Sequence, residues 1–166
     1  MRPLDPPEPF RDDEDAGPLF FGQVHRTIGR SIASDLIERG GRDICIGRDG
    51  RLSGPELSAA LADGLRAAGV NVIDVGRVAT PMLYFAAQHF NTQSGVMLTG
   101  SHNPPTHNGF KMMIGKRPFF GADIKKLGDM AAKGDAESGI GEVSEAPMMA
   151  AYLERLLRDA QGTRKL

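Results

Sequence analysis

Asp43-Ile44-Cys45-Ile46-Gly47-Arg48 opens a stretch that continues through Ser53-Gly54-Pro55-Glu56 and Leu57, Leu61, Leu65 and Ala68 to Val70–Val75. Ile44-Cys45-Ile46 is a short apolar run bounded by Asp43 and Gly47, the pattern of a buried strand. Ser53 and Glu56 have the spacing of a capping box, with Pro55 in the first turn. Leu57, Leu61, Leu65 and Ala68 then fall on one helical face, and Gly69 closes it. Val70–Val75 reads as the next strand. Strand, amphipathic helix and strand in succession make a βαβ unit, so the sheet is parallel or mixed and carries helices on its faces.

The same alternation extends in both directions. Upstream, Val24, Ile28, Ile32 and Leu36 recur every four residues, and Gly40-Gly41 stops the helix they imply. Downstream, Thr80-Pro81 opens a helix with Met82, Phe85, Ala86 and Phe90. Val96-Met97-Leu98 is a third buried strand, and Phe110, Met112 and Ile114 alternate as a fourth. Only a turn-rich loop, 99–108, separates these last two, so they can pair antiparallel. Two more helices are expected, over 121–133 with Ile124, Leu127 and Ala131, and over 146–160 with Met149, Leu153, Leu156 and Ala160. The expected fold is one three-layer α/β/α domain around a mixed, mostly parallel four-stranded sheet. No internal repeat is visible. Residues 1–20 hold five prolines and six acids against two arginines, which reads as a mobile lead-in.

Composition narrows the functional classes. The chain has 166 residues, 40% hydrophobic and 25% charged, with 20 basic and 21 acidic side chains for a net charge of −1. That balance argues against a nucleic-acid or membrane surface. No apolar run is long enough to span a bilayer, and the acidic, proline-rich start is unlike a signal peptide. The lone Cys45 excludes an internal disulfide and fits the reducing cytoplasm; its isoleucine neighbours make it a core residue.

One local imbalance remains. No carboxylate occurs between Asp74 and Asp123, a gap of 48 residues that holds Arg77, Lys111, Lys116, Arg117, His89, His102 and His107. A positive window in a neutral chain suits a small anion such as a phosphate ester, although core segments are poor in carboxylates in any case. Within it, Thr99-Gly100-Ser101-His102-Asn103-Pro104-Pro105 follows a buried strand, and ligands bind at strand ends in open α/β sheets. Ser101 there is a candidate nucleophile or phosphate carrier; the bland reading is a turn built from ordinary turn residues. Competing motifs fail. Thr99 stands where the first glycine of G-x-S-x-G belongs, Gly109 to Lys116-Arg117 lacks P-loop spacing, and no Cys/His pattern suggests zinc.

Thr99-Gly100-Ser101-His102-Asn103-Pro104 with Asn108-Gly109-Phe110-Lys111 resembles the active-serine signature of the α-D-phosphohexomutases, the phosphoglucomutase/phosphomannomutase family. Gly47-Arg48-Asp49-Gly50-Arg51-Leu52-Ser53-Gly54 and the stretch from Val75-Gly76 to Thr80-Pro81-Met82-Leu83-Tyr84 are similar to two further family blocks in the same order. The resemblance runs from about Gln23 onward, and it implies that residues 21–166 form the family's first, phosphoserine-bearing domain. It implies an enzyme that interconverts hexose 1- and 6-phosphates through a phosphoserine and a bisphosphate intermediate. Ser101 would carry the phosphoryl group and, through it, ligate a catalytic magnesium. His102 and Asn103 would shape the loop and contact the phosphate, Lys111 would assist proton transfer or stabilise charge, and Arg48 and Arg51 would order the loop. A hexose 1,6-bisphosphate would serve as activator.

The departures from the family pattern set the alternative. The family's second, third and fourth domains, with their magnesium, sugar and phosphate loops, have no counterpart in this stretch of sequence. Asp15-Ala16-Gly17 stands after Phe10-Arg11 where an Ile-Arg-Gly is expected. The chain is therefore expected to be incomplete as a mutase and to self-associate through the face that the missing domains would cover. The competing reading is a non-catalytic remnant or a sugar-phosphate-binding module. Glucose or mannose preference is not legible, because sugar-reading residues would lie in the missing domains.

Overall fold

The computed structural model of the chain describes residues 18–134 and 136–160. The lead-in up to residue 17, with its Asp15-Ala16-Gly17 departure, lies outside the described residues, as do residues 161–166. The elements in order are α1 (Pro18–Glu38), β1 (Asp43–Arg48), α2 (Gly54–Ala67), β2 (Asn71–Arg77), α3 (Thr80–His89), β3 (Gly95–Leu98), β4 (Phe110–Ile114), β5 (Arg117–Pro118), α4 (Ala122–Lys133), β6 (Val143–Glu145) and α5 (Met149–Ala160). Helix α1 thus starts at Pro18, before the boundary expected at residue 21.

The sheet order is β5-β4-β3-β1-β2-β6. β1 runs parallel to β2 and β3, β2 runs parallel to β6, and β4 lies antiparallel between β3 and β5. The fold is the expected α/β/α sandwich, with six strands rather than four. The four strands marked by apolar runs are the central ones. The two additional strands sit at the edges: β5 is two residues long, and all three residues of β6, Val143–Glu145, are exposed. Neither needs a hydrophobic signature, because main-chain ladder bonds attach an edge strand whatever its side chains.

Strand alternation sorts the core into two layers. Ile44, Ile46, Val72, Val96, Met112 and Ile114 pack beneath α1, α2 and α4. Cys45, Val75, Met97 and Met148 pack with Met82, Leu83 and Ala86 of α3 on the other side. Helices α1 and α2 touch backbone to backbone: a Cβ on Gly64 would collide with the Arg26 carbonyl, and one on Gly29 with the Leu61 carbonyl. Helix α4 is tied down by Leu127 and by three ion pairs, Lys126 to the buried Asp35 at 3.1 Å and to Glu38 at 2.6 Å, and Asp123 to Arg39 at 2.9 Å.

Two local expectations are corrected. Ser53 does not close a capping box: its hydroxyl makes no bond to α2 and instead donates to Asn108 Oδ1 at 3.3 Å. The last helix starts at Met149 rather than 146, because β6 and the buried Met148 occupy the preceding residues. Its apolar stripe is not core. Tyr152 stacks edge-on against Phe85 at 5.4 Å, but Met149, Leu153, Leu156 and Leu157 stay 47–68% exposed. No described helix is long and apolar enough to cross a membrane.

Candidate active site

β1 and β3 are parallel neighbours, with Arg48 registered against Leu98 at their C-terminal ends. The chain leaves β1 through α2 toward β2 on one side and leaves β3 toward β4 on the other. Such a reversal opens a crevice between the two strand ends, the usual ligand position in an open α/β sheet. Here the crevice brings together residues 49–53 and the 99–109 loop.

Arg51 is the strap between them. Its guanidinium donates to the carbonyl oxygens of Asn103 at 2.9 Å, Ser101 at 3.3 Å and Pro104. Asp49 holds that arginine, accepting from the Arg51 amide at 3.0 Å and from Nε at 3.2 Å. The first of these closes an Asx turn. Asp49 Oδ2 also accepts the Gly100 amide at 3.3 Å. Burial by itself would raise the Asp49 pKa, but hydrogen bonds from the Arg51 amide, the Thr99 hydroxyl and the Arg51 guanidinium, with the arginine's charge, outweigh it. The carboxyl is held below its ordinary value.

Ser101 sits at the exposed turn of this loop with φ 53°, the left-handed region that costs a non-glycine residue about 1–2 kcal/mol. Its amide donates to Thr99 Oγ1 at 2.9 Å, and its Oγ lies 3.3 Å from His102 Nδ1. The Asn103 amide donates to the Gly100 carbonyl at 2.9 Å. Ser101, His102, Asn103 and Lys111 are all exposed. Lys111, on β4, pairs with Met97 of β3; it lies on the sheet face opposite to Phe110 and Met112 and one residue in from the loop.

Arg48 is not part of this arrangement. Among the described residues it makes no hydrogen bond to the loop; its side chain packs over Gly54 and lines a cleft of about 330 Å³ with Asp74, Arg77 and Glu145. The carboxylate-free window does not fold into one positive field either. Lys116 and Arg117 lie at the β4–β5 turn, beyond the opposite end of β3, and His89 packs between Phe85 and Phe90. The tertiary fold also returns a carboxylate, Asp49, to the serine loop. Asp49, Thr99 and Asn108 are contributors to which the sequence assigned no role of their own, and Ser53 one that it assigned to a helix cap; the Asp-x-Arg spacing was the available signal for the first.

Burial pushes the Cys45 thiol above its ordinary value, so Ser101 has no competing thiolate in the core. No group of three or more His, Cys, Asp or Glu side chains able to hold a metal occurs among the described residues. The one carboxylate beside the serine is already committed to Arg51 and Gly100. These residues do not build a magnesium site.

The described residues form an α/β/α domain that presents an exposed serine loop at a strand end, and comparison with known proteins assigns that domain to a family. Residues 16–138 match the family described as phosphoglucomutase/phosphomannomutase, alpha/beta/alpha domain I. The chain belongs to that family. It is 45% identical over 143 residues to a phosphomannomutase/phosphoglucomutase of Pseudomonas aeruginosa and 49% identical over 142 residues to a phosphoglucomutase of Neisseria meningitidis. These matches cover 86% and 84% of this chain but only 31% of each relative. A crystal structure of a phosphoglucomutase/phosphomannomutase family protein from Burkholderia thailandensis superposes with a TM-score of 0.79 at 43% identity, over 83% of this chain and 32% of that one. The chain spans about a third of the length of the relatives it matches.

Proposed function

We propose that this domain carries the transferable phosphoryl group of a phosphohexomutase on Ser101, in an enzyme that interconverts hexose 1-phosphate and hexose 6-phosphate. The observation that supports it most directly is the presentation of Ser101. Its hydroxyl is exposed at a strand end, on a loop strapped at three carbonyls, with an imidazole nitrogen 3.3 Å away. Phosphoryl transfer asks little covalent chemistry of the protein and much positioning, and a strapped loop supplies that.

In the forward step the Oγ–P bond of phosphoserine breaks and a new O–P bond forms to the free hydroxyl of the bound hexose phosphate. The proton that the sugar hydroxyl gives up passes to the departing Ser101 oxygen, relayed by His102 Nδ1, 3.3 Å from Oγ. The bisphosphate then returns its other phosphoryl group to Ser101, and the protons run in reverse. Lys111 offsets charge on the phosphoryl group from the adjoining strand, and Asn103 orders the loop through its main chain. Hexose 1,6-bisphosphate acts as activator by loading the serine. Magnesium would take from this chain only the phosphate on Ser101, and its remaining ligands would come from outside the described residues. The setting proposed is cytoplasmic, with hexose phosphate rather than nucleic acid or membrane as partner.

The test is to incubate the chain with glucose 1,6-bisphosphate and read intact mass and peptide maps. One added phosphate is expected on the Ser101 peptide and none on Ser101→Ala. Phosphate placed mainly on another serine overturns the assignment; an unmodified chain favours sugar-phosphate binding without turnover.

A further inference from the structure

We infer that Asp49 is a positioning residue for Ser101, one carboxylate that takes the Gly100 amide ahead of the serine and, through Arg51, holds the Ser101 carbonyl after it. On the amide side, Thr99 Oγ1 accepts the Ser101 N–H at 2.9 Å, and the Thr99 hydroxyl is among the groups that lower the Asp49 pKa. On the carbonyl side, Asp49 fixes Arg51 by its amide and its Nε, and Arg51 Nη2 in turn holds the Ser101 carbonyl at 3.3 Å. Between the two arms, Asp49 Oδ2 takes the Gly100 amide directly.

Each arm is needed for a physical reason. Ser101 is held in the left-handed region on a solvent-exposed turn, where an unconstrained serine would relax to an ordinary conformation. Water competes for every hydrogen bond such a loop makes. Arg51 is a long, rotamer-rich side chain, and the cost of ordering it has to be offset by something. With Nε held by a carboxylate only two residues away, the remaining guanidinium N–H groups are directed at the Ser101, Asn103 and Pro104 carbonyls. A neutral isostere at position 49 keeps one acceptor oxygen but cannot receive all the donors that converge there.

The purpose of this device rests on the phosphoserine reading, whereas its geometry is tested without it. Asp49→Asn, Arg51→Gln, Thr99→Val and the Asp49→Asn/Arg51→Gln double variant are compared with the wild type. Two readouts are used: amide exchange over residues 99–108, and the nitrogen resonances of the His102 ring, which report its hydrogen bond to Ser101 Oγ. Asp49→Asn is expected to speed exchange at Ser101 and Asn103 about tenfold and to shift the His102 signals. Arg51→Gln and Thr99→Val should each produce part of that change, and the double variant little more than Asp49→Asn alone. Exchange in β1 and β3 should stay at wild-type rates, which separates loop release from general unfolding. A wild-type His102 signature and unchanged loop protection in Asp49→Asn overturn the inference, as does full additivity in the double variant. Should Asp49→Asn not fold, the two single-arm variants carry the decision: if neither disturbs the His102 signature, the inference fails. Phosphate uptake is scored separately, so a wild-type chain that takes no phosphate on Ser101 sinks the phosphoserine reading while leaving the positioning result standing.

Discussion

Gly100 lies so close beneath the Arg51 guanidinium that no side chain fits between them: a Cβ there would collide with the guanidinium carbon and with the His107 carbonyl oxygen. The strap across the serine loop therefore depends on the missing side chain as much as on the arginine. Gly100→Ala should push Arg51 off its carbonyl partners. Loop protection in amide exchange and phosphate uptake at Ser101 should both fall about tenfold or more, while thermal stability drops by about 1–3 kcal/mol, the usual cost of overpacking. Unchanged uptake would show that Arg51 can be displaced without moving the serine.

Gly64 makes the corresponding close contact inside the core, against the Arg26 carbonyl of α1. Here the neighbour is helix backbone and cannot move aside. Gly64→Ala should destabilise the fold by about 1–3 kcal/mol despite the better helix propensity of alanine. Denaturant midpoints measure it, and a stabilised variant would contradict the close packing of α1 on α2.

The serine loop should keep its order over a wide acid range. Asp49 is held below its ordinary value, so its contribution is complete above the unfolded carboxyl pKa and is lost only as pH falls through the lower folded value. Exchange protection of residues 99–108, corrected for intrinsic rates, should be flat from pH 8 to 5 and decline below about pH 4. A loss centred near neutrality would mean that a different group holds the loop.

Mutase turnover by this chain alone should be undetectable. Its described residues contain no set of metal-ligating side chains, and it spans only 31% of the mutases it matches. Losing metal clamping and substrate orientation together forfeits on the order of 10 kcal/mol of barrier reduction, about seven decades in rate. With glucose 1-phosphate, magnesium and a bisphosphate activator, product should stay at background. Turnover that disappears in Ser101→Ala would refute this.

The outer face of α5 should be adhesive. Met149, Leu153, Leu156 and Leu157 form one exposed stripe on a helix with no buried residue. Clustered apolar surface of this kind binds partners or dyes. Native chain should bind a hydrophobic dye and sediment as more than a monomer at high concentration. Leu153→Glu with Leu157→Glu should reverse both without lowering stability. A monomer that binds no dye at any concentration would rule the face out as a contact surface.

Periodicity alone placed the four central strands and the five helices, because an element that must bury a face writes that face into its sequence. Ile44-Cys45-Ile46 and Val96-Met97-Leu98 are buried on both sides and could be read directly. The edge strands could not: Val143-Ser144-Glu145 joins β2 by main-chain bonds that leave no trace in side-chain pattern. Met149, Leu153 and Leu156 show the converse, a stripe readable as a helix whose burial was not, since periodicity says that a face is apolar and not what covers it. The serine loop was legible as a motif, and Ser101 with it. What holds that loop was decided only when β1 and β3 became neighbours. That pairing brought Arg51 to carbonyls about fifty residues away, turned Ser53 from a helix cap into a partner of Asn108, and sent Arg48 to a different cleft. Local sequence specifies dihedral preferences and buried faces, whereas a hydrogen bond between two loops exists only where the topology of the sheet sets their ends side by side.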